Sequence, residues 1–377
     1  MSELLDAAAL QRALSVRDLS DPSQGPHAMQ QLLAAVEAAL RSAWRADIRV
    51  ARASPIVSIA DNYDSLHYPP GGAARAARYS RYVSTDTLLR TQTSAMIPPL
   101  LRQLARTPSE DVVWLCPGLV YRRDSIDRLH TSEPHQLDVW RIARHRTLGV
   151  AELERWVALM VETLLPGRDY RTVPAEHPYT THGLQIDVRD RETWVEVGEC
   201  GLASDALLTE HGLPAPPYAG LAMGLGLDRI VMLRKGLDDV RLLRASDPRI
   251  AQQLLDLSPY RPVSSMPAVR RDLSVVVPQD TSDEALGDAV RCALGPRADV
   301  IESVQVIDET GYLGLPASAR TRLGIAPDQK NALVRVVLRA LDRTLTHAEC
   351  NELRDIIYAA VHRGPVWEWA GSRPETA

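Results

Sequence analysis

The feature that most constrains this chain is the order of its apolar patterns. From Val112 to Gly226 most segments repeat at a period of two, and most helical patterns lie outside them. VVWLCPGLVYRRD (112–124) reads as a strand, a turn at Pro117-Gly118 and a second strand, and HQLDVWRIA continues the alternation. LQIDVRDRETWVEVGECG reads as two strands joined by a charged turn at Asp190-Arg191, and GLAMGLGLDRIVMLRKG starts strand-like and turns helical after Gly226. Strands in succession with helices outside predict an α+β fold built on an antiparallel sheet flanked by helices, not an alternating βαβ fold.

Around this centre, residues 1–20 read as a short helical lead, and the turn cluster 21–26 ends in Pro26, which is placed to start an amphipathic helix over 27–44. Residues 54–90 alternate β-like runs (PIVSIA, RYVSTDTLL) with a loop rich in Pro, Gly and Arg. AELERWVALMVETLLPG is a helix stopped by Pro166-Gly167. LSPYRPVSSMP (257–267) carries three prolines and reads as a linker. Beyond it, strand, helix, strand, long loop, strand and helix follow in the order of a ferredoxin-like split βαβ unit. The expected domains are a lead (1–20), a main domain (21–256), a linker (257–267), a ferredoxin-like domain (268–364) and a tail (365–377).

No apolar run approaches the ~18 residues that span a bilayer, and MSELLDAAALQRALSVRD lacks the basic start and apolar core of a secretory signal. The expectation is a cytoplasmic protein with no membrane partner. The four cysteines, Cys116, Cys200, Cys292 and Cys350, are widely spaced, so buried free thiols are expected in place of zinc ligands or disulfides. With a net charge of −5, bulk electrostatics make no case for nucleic-acid binding. Lysine occurs only at positions 235 and 330, and phenylalanine is absent.

Two segments carry chemistry. In Val120-Tyr121-Arg122-Arg123-Asp124, followed by His135-Gln136-Leu137-Asp138, an arginine leads from a strand into a loop, a placement that suits bidentate contact with phosphate. A solvated charged hairpin is the competing reading. In Gly224-Leu225-Gly226-Leu227-Asp228-Arg229-Ile230, small residues open a helix with an arginine one turn in, which favours an anion. The third glycine and βαβ context of a dinucleotide site are missing, and glycine used only for packing is the alternative.

Taken together the two segments resemble motifs 2 and 3 of class II aminoacyl-tRNA synthetases. DNYDSLHYP, LLRTQTSA, VYRRDSIDRLH, HQLD, WVEVGECG and GLGLDRIVMLRKGLDDVRLL resemble the phenylalanyl branch in its order, and MPAVRRDLSVVVP with LDRTLT…ELRDIIYAAV resembles its ferredoxin-fold anticodon-binding domain. The resemblance covers about 20–365 and is to the single-chain, organelle-type layout. It implies ATP and Mg²⁺ as cofactors, an amino acid and tRNA as substrates, and a monomer. By the same resemblance, Arg122 contacts the α-phosphate and Arg229 the γ-phosphate, as the catalytic pair. Asp124, Gly224 and Gly226 complete the ATP site, with Glu196 also helping to hold the metal. Thr93, Ser94, Gln136, Asp138, His177, Tyr179 and Ala222 receive the amino acid, Gln136 and Asp138 holding its α-amino group and Ala222 setting the pocket's depth.

The sequence departs from the family where aromatic rings would line that pocket. Gln92-Thr93-Ser94 replaces His-Thr-Ser, His177-Pro178-Tyr179 replaces Phe-Pro-Phe, and Pro134 and Met223 stand where phenylalanine is usual. Absence of phenylalanine suits an enzyme made when charged phenylalanine tRNA is scarce, or one that loads an analogue. An amino-acid-activating paralogue with another substrate or acceptor, and a non-catalytic RNA-binding paralogue, are the alternatives. Arg122, Arg229 and Glu196 argue against the second. Arg320, Arg322, Lys330 and Arg335 cluster around the long loop as candidate tRNA contacts, although 265–377 is slightly acidic, with 13 basic against 16 acidic residues.

Overall fold

The computed structural model describes residues 4–76, 79–123, 125, 127–263 and 266–367. The chain divides by internal packing into two compact units, one of residues 1–122, 133–238 and 252–260, the other of 123–132, 239–251 and 261–377.

The first unit runs α1 (Ala7–Leu14), α2 (Ala28–Ala43), β1 (Asp47–Val50), β2 (Ile56–Ser58), α3 (Ile59–Asn62), β3 (Arg81–Tyr82), β4 (Thr87–Leu89), α4 (Ile97–Arg106), β5 (Asp111–Leu119) and β6 (His135–Arg144). It continues through α5 (Val150–Leu164), β7 (Tyr170–Pro174), β8 (Thr180–Asp190), β9 (Thr193–Ala203), α6 (Asp205–Glu210), β10 (Tyr218–Gly226) and α7 (Leu227–Lys235). Among the described residues, seven strands form one sheet in the order β1-β5-β6-β10-β9-β8-β7. All its pairs are antiparallel except β1 with β5. The α+β reading therefore holds. β6 lies between β5 and β10, and from Leu137 to Ala143 its residues are buried on both faces because helices cover the sheet.

Two local readings are corrected. Pro117-Gly118 is no turn: β5 runs straight through it, with Pro117 opposite Leu137. β1 pairs with β5 only as far as Leu115, so at Pro117 the other edge is free and the missing N–H breaks no ladder bond. The run PIVSIA leaves the strand after Ser58, whose hydroxyl accepts from the Asp61 backbone at 3.0 Å and caps α3.

The core under the sheet gathers Leu101, Leu104, Trp114, Trp140, Ile142 and Leu207, all at most 3% exposed. On β6, Arg141 is buried as well, its guanidinium 4.2 Å from the Trp44 ring centroid and doubly bonded to Asp111.

The second unit carries α8 (Pro248–Ala251), β11 (Val269–Pro278), α9 (Asp283–Leu294), β12 (Ile301–Gly311), α10 (Ala317–Leu323), β13 (Gln329–Leu338) and α11 (His347–Val361). Its sheet has the order β11-β13-β12, all antiparallel, and the long loop of the sequence reading contains α10. β13 alternates partly buried and buried residues along its whole length, and its buried face packs on α9 and α11 through Val334, Val336, Val290 and Ile357. A full capping box, Thr346 with Glu349, starts α11.

Cys116, Cys200 and Cys350 are buried, but Cys292 is exposed, against expectation. It lies on α9, whose inward stripe is supplied by Leu286, Val290 and Leu294. Among the described residues no helix is long and apolar enough to cross a membrane.

Candidate active site

Residues opposite one another across antiparallel strands share a face of the sheet, so strand register builds the site. One row runs Cys116, Asp138, Gly224, Glu199 and Gln185 across β5, β6, β10, β9 and β8. The next row on one side is Gly118, Gln136 and Gly226, and on the other Trp114, Trp140, Ala222 and Gly201. Gly224 therefore leaves a gap between two acidic side chains. A Cβ there would stand 3.8 Å from Asp138 Oδ2. β9 and β10 also approach closely, since a Cβ on Gly198 would come within 2.4 Å of the Gly224 carbonyl.

Asp138 is 3% exposed. Its carboxylate accepts from the Thr93 hydroxyl at 2.7 Å, the Ser94 hydroxyl at 2.8 Å and the Trp140 indole at 3.2 Å. Burial raises its pKa above the ordinary carboxylate range, and these three neutral donors oppose the shift without reversing it. Gln136 is tied to the same loop, its Oε1 accepting from the Thr93 backbone at 3.3 Å.

An aromatic group stands beside Asp138. Trp140 and Tyr179 are stacked with centroids 5.8 Å apart, and Tyr179 also meets His177 at 5.8 Å and Tyr68 at 6.2 Å. Burial pushes the Tyr68 phenol up to about 12, and its hydroxyl donates to Gln92 Oε1 at 2.9 Å. Burial likewise keeps Tyr179 protonated. Ala222, opposite Trp140, packs in the same cluster.

His177 Nε2 lies 2.5 Å from Glu199 Oε2, and this hydrogen bond raises the imidazole's pKa against the opposing effect of burial. The pair's contribution to stability is thus fully present below ~6.5, the unperturbed value, and is lost as pH rises through the raised folded value. We expect His177, followed by NMR of its ring protons, to titrate above ~6.5 in the ligand-free protein. Glu199→Gln should return the midpoint toward that value. An unchanged midpoint would mean that the pair does not form.

At the other end of the gap stand the arginines. Arg122 Nε donates to the Thr91 carbonyl at 2.7 Å, which aims the guanidinium. Arg229, in the first turn of α7, donates to the Glu196 carbonyl at 3.1 Å and lies 3.9 Å from its carboxylate. Burial raises the Glu196 pKa, as do Glu199 and Asp187, while Arg229 and Arg122 both pull it down. Glu196 thus feels both arginines and two other carboxylates, surroundings that a cation bound with phosphate oxygens would relieve. Among the described residues no group of three His, Cys, Asp or Glu is arranged to hold a metal with protein ligands alone.

The fold thus brings Thr93, Ser94, Gln136, Asp138, His177, Tyr179, Ala222, Gly224, Gly226, Glu196, Arg122 and Arg229 onto one unit and largely one sheet face. Asp124 lies outside the described residues. In the second unit the four expected RNA contacts are largely committed elsewhere. Arg320 donates to the Leu315 carbonyl at 2.8 Å and covers the Tyr312 ring. Lys330 is buried and paired with Glu309 at 2.7 Å, Arg335 is doubly bonded to Asp272, and Arg322 is exposed on α10. Their closeness in sequence does not make one unpaired basic patch.

Sequence reasoning missed Trp140, Glu199 as the partner of His177, and the Thr91 carbonyl behind Arg122. The first two depend on strand register, and the third is backbone.

A gap floored by glycine, with a buried carboxylate at one end and at the other one arginine in the loop after β5 and one in the first turn of α7, defines a class of protein. Residues 17–254 match the family model of the class II tRNA synthetase core domain of the F type, and the chain belongs to that family. It is 34% identical over 192 residues to the phenylalanine–tRNA ligase alpha subunit of Prochlorococcus marinus (strain NATL2A), a match covering 51% of this chain and 56% of that one. It is 28% identical over 324 residues to the chloroplastic/mitochondrial phenylalanine–tRNA ligase of Arabidopsis thaliana, covering 82% and 70%. The mitochondrial phenylalanine–tRNA ligase of Saccharomyces cerevisiae is 25% identical over 387 residues, covering 80% and 79%. The matches span little more than half the length of the alpha-subunit relatives.

Proposed function

We propose that this chain is an ATP-dependent ligase that activates phenylalanine as its adenylate and transfers it to tRNA. The observation that carries the reading is Asp138. A buried carboxylate with a raised pKa, bonded only to neutral donors among the described residues, faces the gap over Gly224 and suits the α-ammonium of an amino acid. Thr93, Ser94 and Gln136 orient the same end of the substrate. Trp140, Tyr179, His177 and Ala222 surround its side chain.

In the reaction the substrate carboxylate attacks the α-phosphorus, forming a C–O–P link as the bond to pyrophosphate breaks. No strong base is needed, so positioning and charge neutralisation do the work. Arg122, aimed by Thr91, takes charge developing on the α-phosphate, and Arg229 takes charge on the leaving pyrophosphate. Gly224 and Gly226 let the nucleotide approach the strand. Glu196 fits a share in holding Mg²⁺, which when bound neutralises phosphate charge.

The domain plan, a catalytic domain over 21–256 and an anticodon-binding domain over 268–364 joined by the linker 257–267, belongs to this proposal, as do the lead and tail. So do a monomeric state and a cytoplasmic site of action. Phosphates of tRNA would meet Arg322 on the exposed face of α10, and at Arg320, Lys330 and Arg335 would compete with the Leu315 carbonyl, Glu309 and Asp272.

The test is amino-acid-dependent ATP–pyrophosphate exchange over phenylalanine, tyrosine and meta-tyrosine, followed by aminoacylation of tRNA. Exchange and transfer with phenylalanine are expected. Exchange with an analogue alone would overturn the substrate, and no exchange would overturn the enzyme.

A further inference from the structure

The strongest unassigned feature is a buried pair between the two ends of the site. His135 is fully buried and Asp228 is 5% exposed. His135 begins β6, one residue before Gln136, and Asp228 lies in the first turn of α7, one residue before Arg229. The Asp228 carboxylate accepts from the His135 backbone N–H, and its oxygens lie 3.1 and 3.2 Å from His135 Nδ1. On the other side of the ring, Nε2 is 2.9 Å from the Leu19 backbone nitrogen.

That last contact sets the tautomer. A backbone N–H can only donate, so Nε2 presents its lone pair and the ring proton sits on Nδ1, facing Asp228. The ring is held between the N-terminal segment and the start of a helix. The nearby Asp18 carboxylate, 3.6 Å from Nε2, is occupied by the backbone and hydroxyl of Ser20.

We propose that His135 and Asp228 are positioning residues that fix the distance between the amino-acid end of the site on β6 and the phosphate end on α7, the Leu19 contact setting only the ring's tautomer. The proposal rests on the assignment of those two ends given above. Each substrate alone needs only its own end. The transition state needs both, because the carboxylate must meet the α-phosphorus in line, and a misplacement of about 1 Å costs on the order of 10²-fold in rate. A clamp between the ends therefore acts on kcat more than on either KM.

The experiment is pyrophosphate exchange with both substrates varied, together with titration of active sites by stoichiometric adenylate formation. Asp228→Asn is expected to lower kcat per titrated site by about 10–10²-fold while each KM moves less than about threefold. Two substitutions at His135 separate its two bonds. His135→Asn keeps an amide N–H where Nδ1–H was and gives up the acceptor for Leu19, whereas His135→Gln keeps that acceptor and gives up the donor to Asp228. His135→Asn should retain kcat per site within about threefold, and His135→Gln should fall with Asp228→Asn. Fewer titrated sites with unchanged kcat per site, or a raised KM with unchanged kcat, would reduce the pair to fold support and overturn the proposal. Arg229→Ala is the control. If it leaves exchange intact, the site assignment itself fails; if it removes exchange while Asp228→Asn keeps full kcat per site, only the clamp fails.

Discussion

Arg122→Ala is expected to lower kcat for phenylalanine-dependent pyrophosphate exchange by about 10²–10³-fold, the usual loss when one preorganised donor to developing charge is removed. Among the described residues the guanidinium is held by the Thr91 carbonyl through Nε, and its terminal nitrogens face no partner there that would compete with phosphate oxygens. Because the orientation exists before substrate arrives, little reorganisation is left for the reaction itself. Arg122→Lys separates charge from geometry. Lysine restores the cation but has neither the planar fork nor an Nε bond to the loop, so it should recover only part of the loss, remaining about 10-fold or more below the wild type. Initial rates at saturating ATP decide the matter. Full activity in the lysine variant would mean that only net charge is needed, and full activity in the alanine variant would remove Arg122 from the site.

What was legible in the sequence was whatever is encoded locally. The period-two segments gave the antiparallel sheet, and Gly224 and Gly226 ahead of Arg229 announced the turn from strand to helix. The arginine of the strand–loop segment was visible for the same reason. Contacts set by register were not. Asp138 meets Gly224, and Gly224 meets Glu199, only because β6, β10 and β9 align as they do across long sequence separations. Nothing local tells that Trp140 stacks on Tyr179, or that a carbonyl steers Arg122.

Local letters say least where a partner remote in sequence decides. Pro117-Gly118 has the letters of a turn, yet it stands where a neighbouring strand has already ended and its missing donor goes unnoticed. Arg320, Arg322, Lys330 and Arg335 have the letters of a basic patch, yet β11 and β12 bring Asp272 and Glu309 beside two of them. In each case the deciding partner is remote in sequence, and local chemistry is read correctly only where no such partner intervenes.

Asp138→Asn should stabilise the empty protein and nearly abolish its activity. Burial raises the Asp138 pKa, so between ~3.9, the unfolded value, and the raised folded value the native state holds a proton that the unfolded state has released. Native stability therefore falls as pH rises through that window, and above it the ligand-free fold has lost that stability in full. Asparagine never ionises and is close in shape, and the Thr93 and Ser94 hydroxyls can rotate to meet it. The melting temperature of Asp138→Asn at pH 7.5 should accordingly exceed that of the wild type, with the gap narrowing as pH falls toward the raised value. The substrate ammonium, in contrast, loses its counter-charge, and kcat/KM for phenylalanine should drop by about 10²–10³-fold, the range for breaking a buried charged pair on one side. Phenylalanine should also raise the wild-type melting temperature and leave that of the variant nearly unchanged. A variant less stable than the wild type would assign Asp138 to holding the Thr93–Ser94 loop. A stabilised variant with intact kcat/KM would place the ammonium elsewhere, so melting and kinetics together decide what this carboxylate is for.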